Sequence, residues 1–127
     1  MLVVDTSALM AILLAEPAAP ACKAALEADD RPLISAATLA EALIVARRRD
    51  RGDLLDRLIA ELGFEIVAVT PAAARRVAAA YDAWGKGLHP AALNLGDCFA
   101  YELAKTRGCR LLYVGTDFAR TDIESAL

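Results

Sequence analysis

Four short apolar runs recur along the chain, each followed by residues with helical spacing, and this alternation restricts the possible folds more than any other feature. Leu2–Val3–Val4, Leu33–Ile34–Ser35, Glu65 to Val69 and Cys109 to Val114 have the length and residue types of buried strands. Between them lie the expected helices: Ala8 to Ala15, Pro20 to Ala28, Ala37 to Arg51 ended at Gly52, Asp53 to Leu62, Pro71 to Trp84, and Gly96–Asp97 to Arg107. Gly63 and Gly108 suit helix ends, where a left-handed residue closes the last turn, and Pro71 suits a first turn, whose amide hydrogen has no partner anyway. Strands that are apolar throughout must be covered on both faces, and helical crossovers supply that cover. The expectation is therefore α/β: a central parallel sheet of four to five short strands flanked by helices on both faces, one domain over residues 1–127. The connection from Gly85 to Leu95 is expected to be the most mobile part.

Length and composition agree with one core. A chain of 127 residues buries enough surface to fold without staples. Its hydrophobic share of 57% and mean hydropathy of +0.40 exclude disorder as a description of the whole. Charges interrupt every long apolar stretch, so no membrane span is expected. The surplus apolar surface is expected to meet a second copy or a partner, with the helical stretches Ala8 to Ala28 and Ala37 to Leu62 as candidates. A net charge of −3 argues against coating nucleic acid through bulk positive charge, while leaving local contact with phosphates open. The densest basic run, Arg47, Arg48, Arg49 and Arg51, is either a solvated helix end or such a contact. No Lys or Arg precedes the apolar run Ala8 to Ala15, and Cys22, Cys98 and Cys109 lack paired spacing; the expected location is cytoplasmic, with reduced thiols. A single histidine, His89, gives no basis for a zinc site.

The informative residues are acids set in apolar surroundings. Asp5 directly follows the first strand and Asp117 follows the last. Glu41 lies within Leu39–Ala40–Glu41–Ala42–Leu43, and Asp97 precedes Cys98–Phe99–Ala100. Ligand sites in parallel sheets form beyond the carboxyl ends of the strands. Each acid also has an ordinary structural explanation: Asp5 as a helix cap, Glu41 in a capping box with Thr38, Asp97 at a helix start, Asp117 and Asp122 as turn or cap residues. Taken together they describe a cleft in which carboxylates repel, and a hard divalent cation resolves that repulsion. Mg²⁺ or Mn²⁺ prefers such oxygen ligands, polarises a phosphate and activates water for in-line attack.

At these positions the sequence resembles the PIN-domain ribonucleases. Val3-Val4-Asp5-Thr6-Ser7-Ala8-Leu9 resembles their opening strand, and Ser35-Ala36-Ala37-Thr38-Leu39-Ala40-Glu41 the segment of their second acid. His89 to Tyr101, around Leu95-Gly96-Asp97-Cys98, resembles the third-acid segment of the VapC toxins of bacterial toxin–antitoxin pairs. Gly115-Thr116-Asp117-Phe118 with Thr121-Asp122-Ile123 resembles the fourth. The resemblance implies a PIN-like fold and a Mg²⁺- or Mn²⁺-dependent endoribonuclease. It places Asp5, Glu41, Asp97 and Asp117 at the acidic positions and Ser7 behind the first acid, with Thr116 in support. Thr116 stands where many relatives carry another acid, which leaves the fourth role open between Asp117, at the matching position, and Asp122. The implied partners are an RNA substrate, a second copy as homodimer, and a VapB-type antitoxin whose basic side chains enter among the acids.

Two other classes compete. A flavodoxin-like signalling domain would carry an acidic pair after the first strand and a phosphoacceptor Asp after a middle one; here Asp5 stands alone and Glu65 to Val69 runs into Thr70–Pro71. A non-catalytic PIN-like interaction module would not need the acids it retains.

Overall fold

The computed structural model describes all 127 residues. The strands are β1 (Leu2–Val4), β2 (Pro32–Ser35), β3 (Glu65–Val67) and β4 (Arg110–Leu112). The helices are α1 (Thr6–Leu13), α2 (Ala19–Glu27), α3 (Ala36–Arg48), α4 (Gly52–Leu62), α5 (Pro71–Trp84) and α6 (Leu95–Arg107). The sheet has the order β3-β2-β1-β4 and every pairing is parallel. Beyond β4, Leu111 bridges to Ser125, so the outer edge of β4 is covered by the C-terminal segment.

Both faces of the sheet are buried over β1, β2 and most of β4, as apolar strands require. β3 departs from the buried strand expected over Glu65 to Val69, because it ends at Val67 on the open edge of the sheet, with Glu65 and Ile66 exposed and Val67 half-buried. Leu2, Val4, Ile34 and Leu112 face a core shared with α1 to α4, around Leu9, Leu26, Ala42 and Leu55. Val3, Leu33 and Leu111 face the opposite core, shared with α5 and α6, around Val77, Cys98, Tyr101 and Phe118. The chain order turns back between β1 and β4: β2 and β3 extend to one side of β1, and β4 lies on the other. β1 and β4 stay paired to their carboxyl ends, but the connections leaving them part, α1 onto one face and the loop bearing Phe118 onto the other, opening a crevice where side chains can converge.

Some boundaries differ from the sequence expectation, each for a local reason. Gly52 does not end the third helix: α3 closes at Arg48, Asp50 takes a left-handed φ of 55°, and Gly52 starts α4. Thr38 does not form a capping box with Glu41, because Ser35 caps α3 by accepting the Ala37 amide at 3.3 Å. The connection from Gly85 to Leu95 is tied across its base, with Lys86 N donating to Leu93 O at 2.9 Å and Leu93 N to Trp84 O at 3.0 Å. No helix is long and apolar enough to cross a membrane.

Candidate active site

The crevice is built outward from Asp5. The residue directly follows β1 and caps α1 in extended conformation, which turns its carboxylate back over the helix start. Its Oδ2 accepts from the Ser7 amide at 3.0 Å and from the Ser7 hydroxyl at 2.6 Å. Ser7 Oγ in turn accepts from the Val114 amide at 3.0 Å, and Asp5 N donates to Leu112 O at 2.9 Å. One serine thus fixes the first acid and pins the end of β4 beside it. Asp5 is only 4% exposed, and burial drives its carboxyl pKa upward despite these hydrogen bonds, with the Glu41 charge adding to the rise.

Glu41 reaches the crevice from the second turn of α3. Thr6, next to Asp5, donates its hydroxyl to Glu41 Oε1 at 2.6 Å. The carboxylate lies against Gly96 at the head of α6, where a Cβ would overlap Oε2 and stand 3.0 Å from Cδ. A glycine in a helix lowers its stability, but here it leaves room for an acid from another element.

Asp97 stands at the third position of α6, in a reciprocal capping box. Asn94 Oδ1 accepts the Asp97 amide at 2.8 Å and Asp97 Oδ2 accepts the Asn94 amide at 3.0 Å. Burial, with the charges of Asp5, Asp117 and Glu41, raises the Asp97 carboxyl to about 6. Its cap and its crowding are separate facts: the first orients the carboxylate, the second leaves it short of positive charge.

Asp117 is exposed on the loop after β4, held by its neighbour Phe118, whose ring is buried 5.1 Å from that of Tyr113. Thr116 is exposed, and its carbonyl accepts the Ala119 amide at 3.1 Å. Asp122 lies elsewhere, on the flank of α6, where Tyr101 and Lys105 hold it and keep its carboxyl below the ordinary range. The structure therefore brings Asp5, Glu41, Asp97 and Asp117 into one electrostatic field and separates Asp122 from them.

The carboxylates stand apart rather than closed around one point. The donor set is nonetheless all oxygen, part of it buried, with no basic side chain hydrogen-bonded to any of these acids. That chemistry fits a hard divalent cation with retained waters and does not fit zinc. The contributions of Thr6, Asn94 and Gly96 were not visible as site features in the sequence. Asn94, three residues before Asp97, was the one readable sign, as a capping pattern.

Comparison with known proteins extends this geometry. Residues 2–124 match the family model described as PIN domain. Ribonuclease VapC42 of Mycobacterium tuberculosis is 43% identical over 129 aligned residues, covering 98% of each chain. Ribonuclease VapC30 of the same organism is 45% identical, covering 96% of this chain and 95% of its own. Among solved structures, M. tuberculosis VapC20, a Sarcin-Ricin loop cleaving toxin, superposes with a TM-score of 0.75 at 14% identity, covering 97% and 96% of the two chains. A toxin–antitoxin complex from Klebsiella pneumoniae gives 0.71 at 23% identity, covering 96% and 93%. These two share the fold.

Proposed function

Because the chain belongs to the PIN domain family, we infer that it is a VapC-type endoribonuclease whose crevice acids act on the phosphodiester backbone of structured RNA. The observation that carries this reading is the grouping of Asp5, Glu41, Asp97 and Asp117 in one electrostatic field at the turning point of a parallel sheet, with the Asp97 carboxyl raised to about 6 by burial and by the charges of the other three. Asp5, Asp97, Glu41 and Asp117 would hold Mg²⁺ or Mn²⁺. Such an ion, when bound, supplies charge neutralisation on phosphate oxygens and a more acidic water. Ser7 keeps Asp5 facing the crevice, Thr6 and Gly96 keep Glu41 there, and the Asn94 cap fixes Asp97. Carboxylates held in place by the fold need little rearrangement as the reaction proceeds.

The partners follow from charge and apolar surface. A VapB-type antitoxin that lays an apolar helix into the groove of Ile12, Leu13, Leu54 and Leu58, between α1 and α4, could carry a basic side chain toward the acids and neutralise them. A homodimer would cover the exposed Leu88 and the exposed Leu95, the latter lining a cavity of about 590 Å³ between α5 and α6. This face differs from the α1 to α4 surface that composition favoured for pairing. The cytoplasm is the proposed location.

The test is hydrolysis of a structured RNA by the purified chain with Mn²⁺, and after chelation. The reading expects internal cuts leaving 5′-phosphate and 3′-hydroxyl ends, lost on chelation. An RNA left intact under all conditions would favour the non-catalytic module.

A further inference from the structure

α6 holds the segment bearing Asp117 at a second point, one turn and more below Asp97. Asp97, Tyr101 and Lys105 follow one another at four-residue steps, about 6 Å apart along the axis and on one stripe of the helix. Asp97 is at the head of that stripe, within reach of the Asp117 charge. Below it, Tyr101 donates its hydroxyl to Asp122 Oδ1 at 2.6 Å, and Lys105 Nζ lies 3.0 Å from Asp122 Oδ2. Trp84 of α5 donates its indole N–H to the Tyr101 oxygen at 3.0 Å. The phenol therefore receives from α5 and gives to Asp122, which fixes its direction.

The chain between Asp117 and Asp122 has little slack. Ala119 N donates to Thr116 O at 3.1 Å and Thr121 N to Phe118 O at 3.0 Å, giving two consecutive tight turns. Phe118 anchors these turns in the core and Asp122 anchors them on α6. The Lys105 pair is half exposed on both sides and contributes little by itself. Tyr101, 8% exposed, is the buried half of the clasp.

We propose that the Tyr101–Asp122 hydrogen bond is a positioning contact that sets Asp117 against Asp97, by fastening the loop to the helix that carries Asp97. The proposal rests on the metal-nuclease reading and gives Asp122 a role other than ligand. Outer partners of this kind orient ligands without touching the ion.

The experiment uses the full chain with Tyr101→Phe, Asp122→Ala and Asp122→Asn, each alone and combined with Asp117→Asn. Mn²⁺ affinity is read by electron paramagnetic resonance of the free ion, and melting temperature without metal serves as the stability control. Tyr101→Phe and Asp122→Ala are expected to weaken Mn²⁺ binding about tenfold when Asp117 is present and not at all beside Asp117→Asn. Asp122→Asn, which keeps an acceptor oxygen for the phenol, is expected to recover most of that loss. A lowered melting temperature with unchanged Mn²⁺ affinity, or an equal loss in both backgrounds, would overturn the proposal alone. A wild-type chain that binds no Mn²⁺ would overturn the metal reading as well.

Discussion

Gly96 presents its bare Cα to the carboxylate of Glu41, in the volume where a side chain's first carbon would sit. Two elements distant in sequence thus share one small space, and the acid of one depends on the missing side chain of the other. Gly96→Ala is expected to favour α6 as a helix while pushing Glu41 off Thr6. The expected outcome is a melting temperature equal to or above wild type with Mn²⁺-dependent cleavage reduced about tenfold. Unchanged activity would show that Glu41 needs no fixed place.

Ser7 joins three parts of the site through one hydroxyl, which donates to Asp5 and accepts from the Val114 amide. Ser7→Ala leaves both partners short of a hydrogen bond in a half-buried setting. The variant should lose about 1–3 kcal/mol in urea unfolding. It should also lose activity. A variant as stable as wild type would mean that water replaces the hydroxyl without loss.

The stability of the metal-free protein should depend on pH through Asp97. Its carboxyl lies at about 6 in the folded chain against an ordinary 3.8. Between those values the folded state binds more protons than the unfolded state, so stability falls as pH rises through that window. Asp5 is raised in the same direction. Urea midpoints measured between about pH 4 and pH 7 should decline for wild type and decline less for Asp97→Asn. Added Mn²⁺ should reverse the decline above the window, because an ion that binds only the folded state stabilises it. A flat wild-type profile would contradict the crowding of these carboxylates.

The fold was legible because its signals are local. Short strands apolar on both sides, such as Val3–Val4 and Leu33–Ile34, require cover on both faces, and glycine at residues 63 and 108 marks helix ends that the structure shows in left-handed conformation. The acids were legible as charges inside apolar runs. Their arrangement was not. Glu41 meets Thr6 across 35 residues and Asp122 meets Tyr101 across 21, and no periodicity encodes pairs at such separations. Asp117 and Asp122 look alike in sequence, each an acid after a threonine, yet the Tyr101 phenol takes one of them away from the crevice. Gly52 misled for a related reason: a glycine can end one helix or begin the next, and the left-handed Asp50 decides which.

If the crevice acids act together on RNA, removing the charge of one of them must slow the cleavage step itself. The decisive measurement is single-turnover cleavage of a structured RNA by Asp97→Asn, at saturating Mn²⁺ and beside wild type. Asparagine keeps the size and hydrogen bonding needed for the cap with Asn94, so the fold should remain. The variant is expected to cleave at a rate lower by about a hundredfold or more, with an unchanged or raised melting temperature. Cleavage at the wild-type rate would mean that Asp97 takes no part in the reaction.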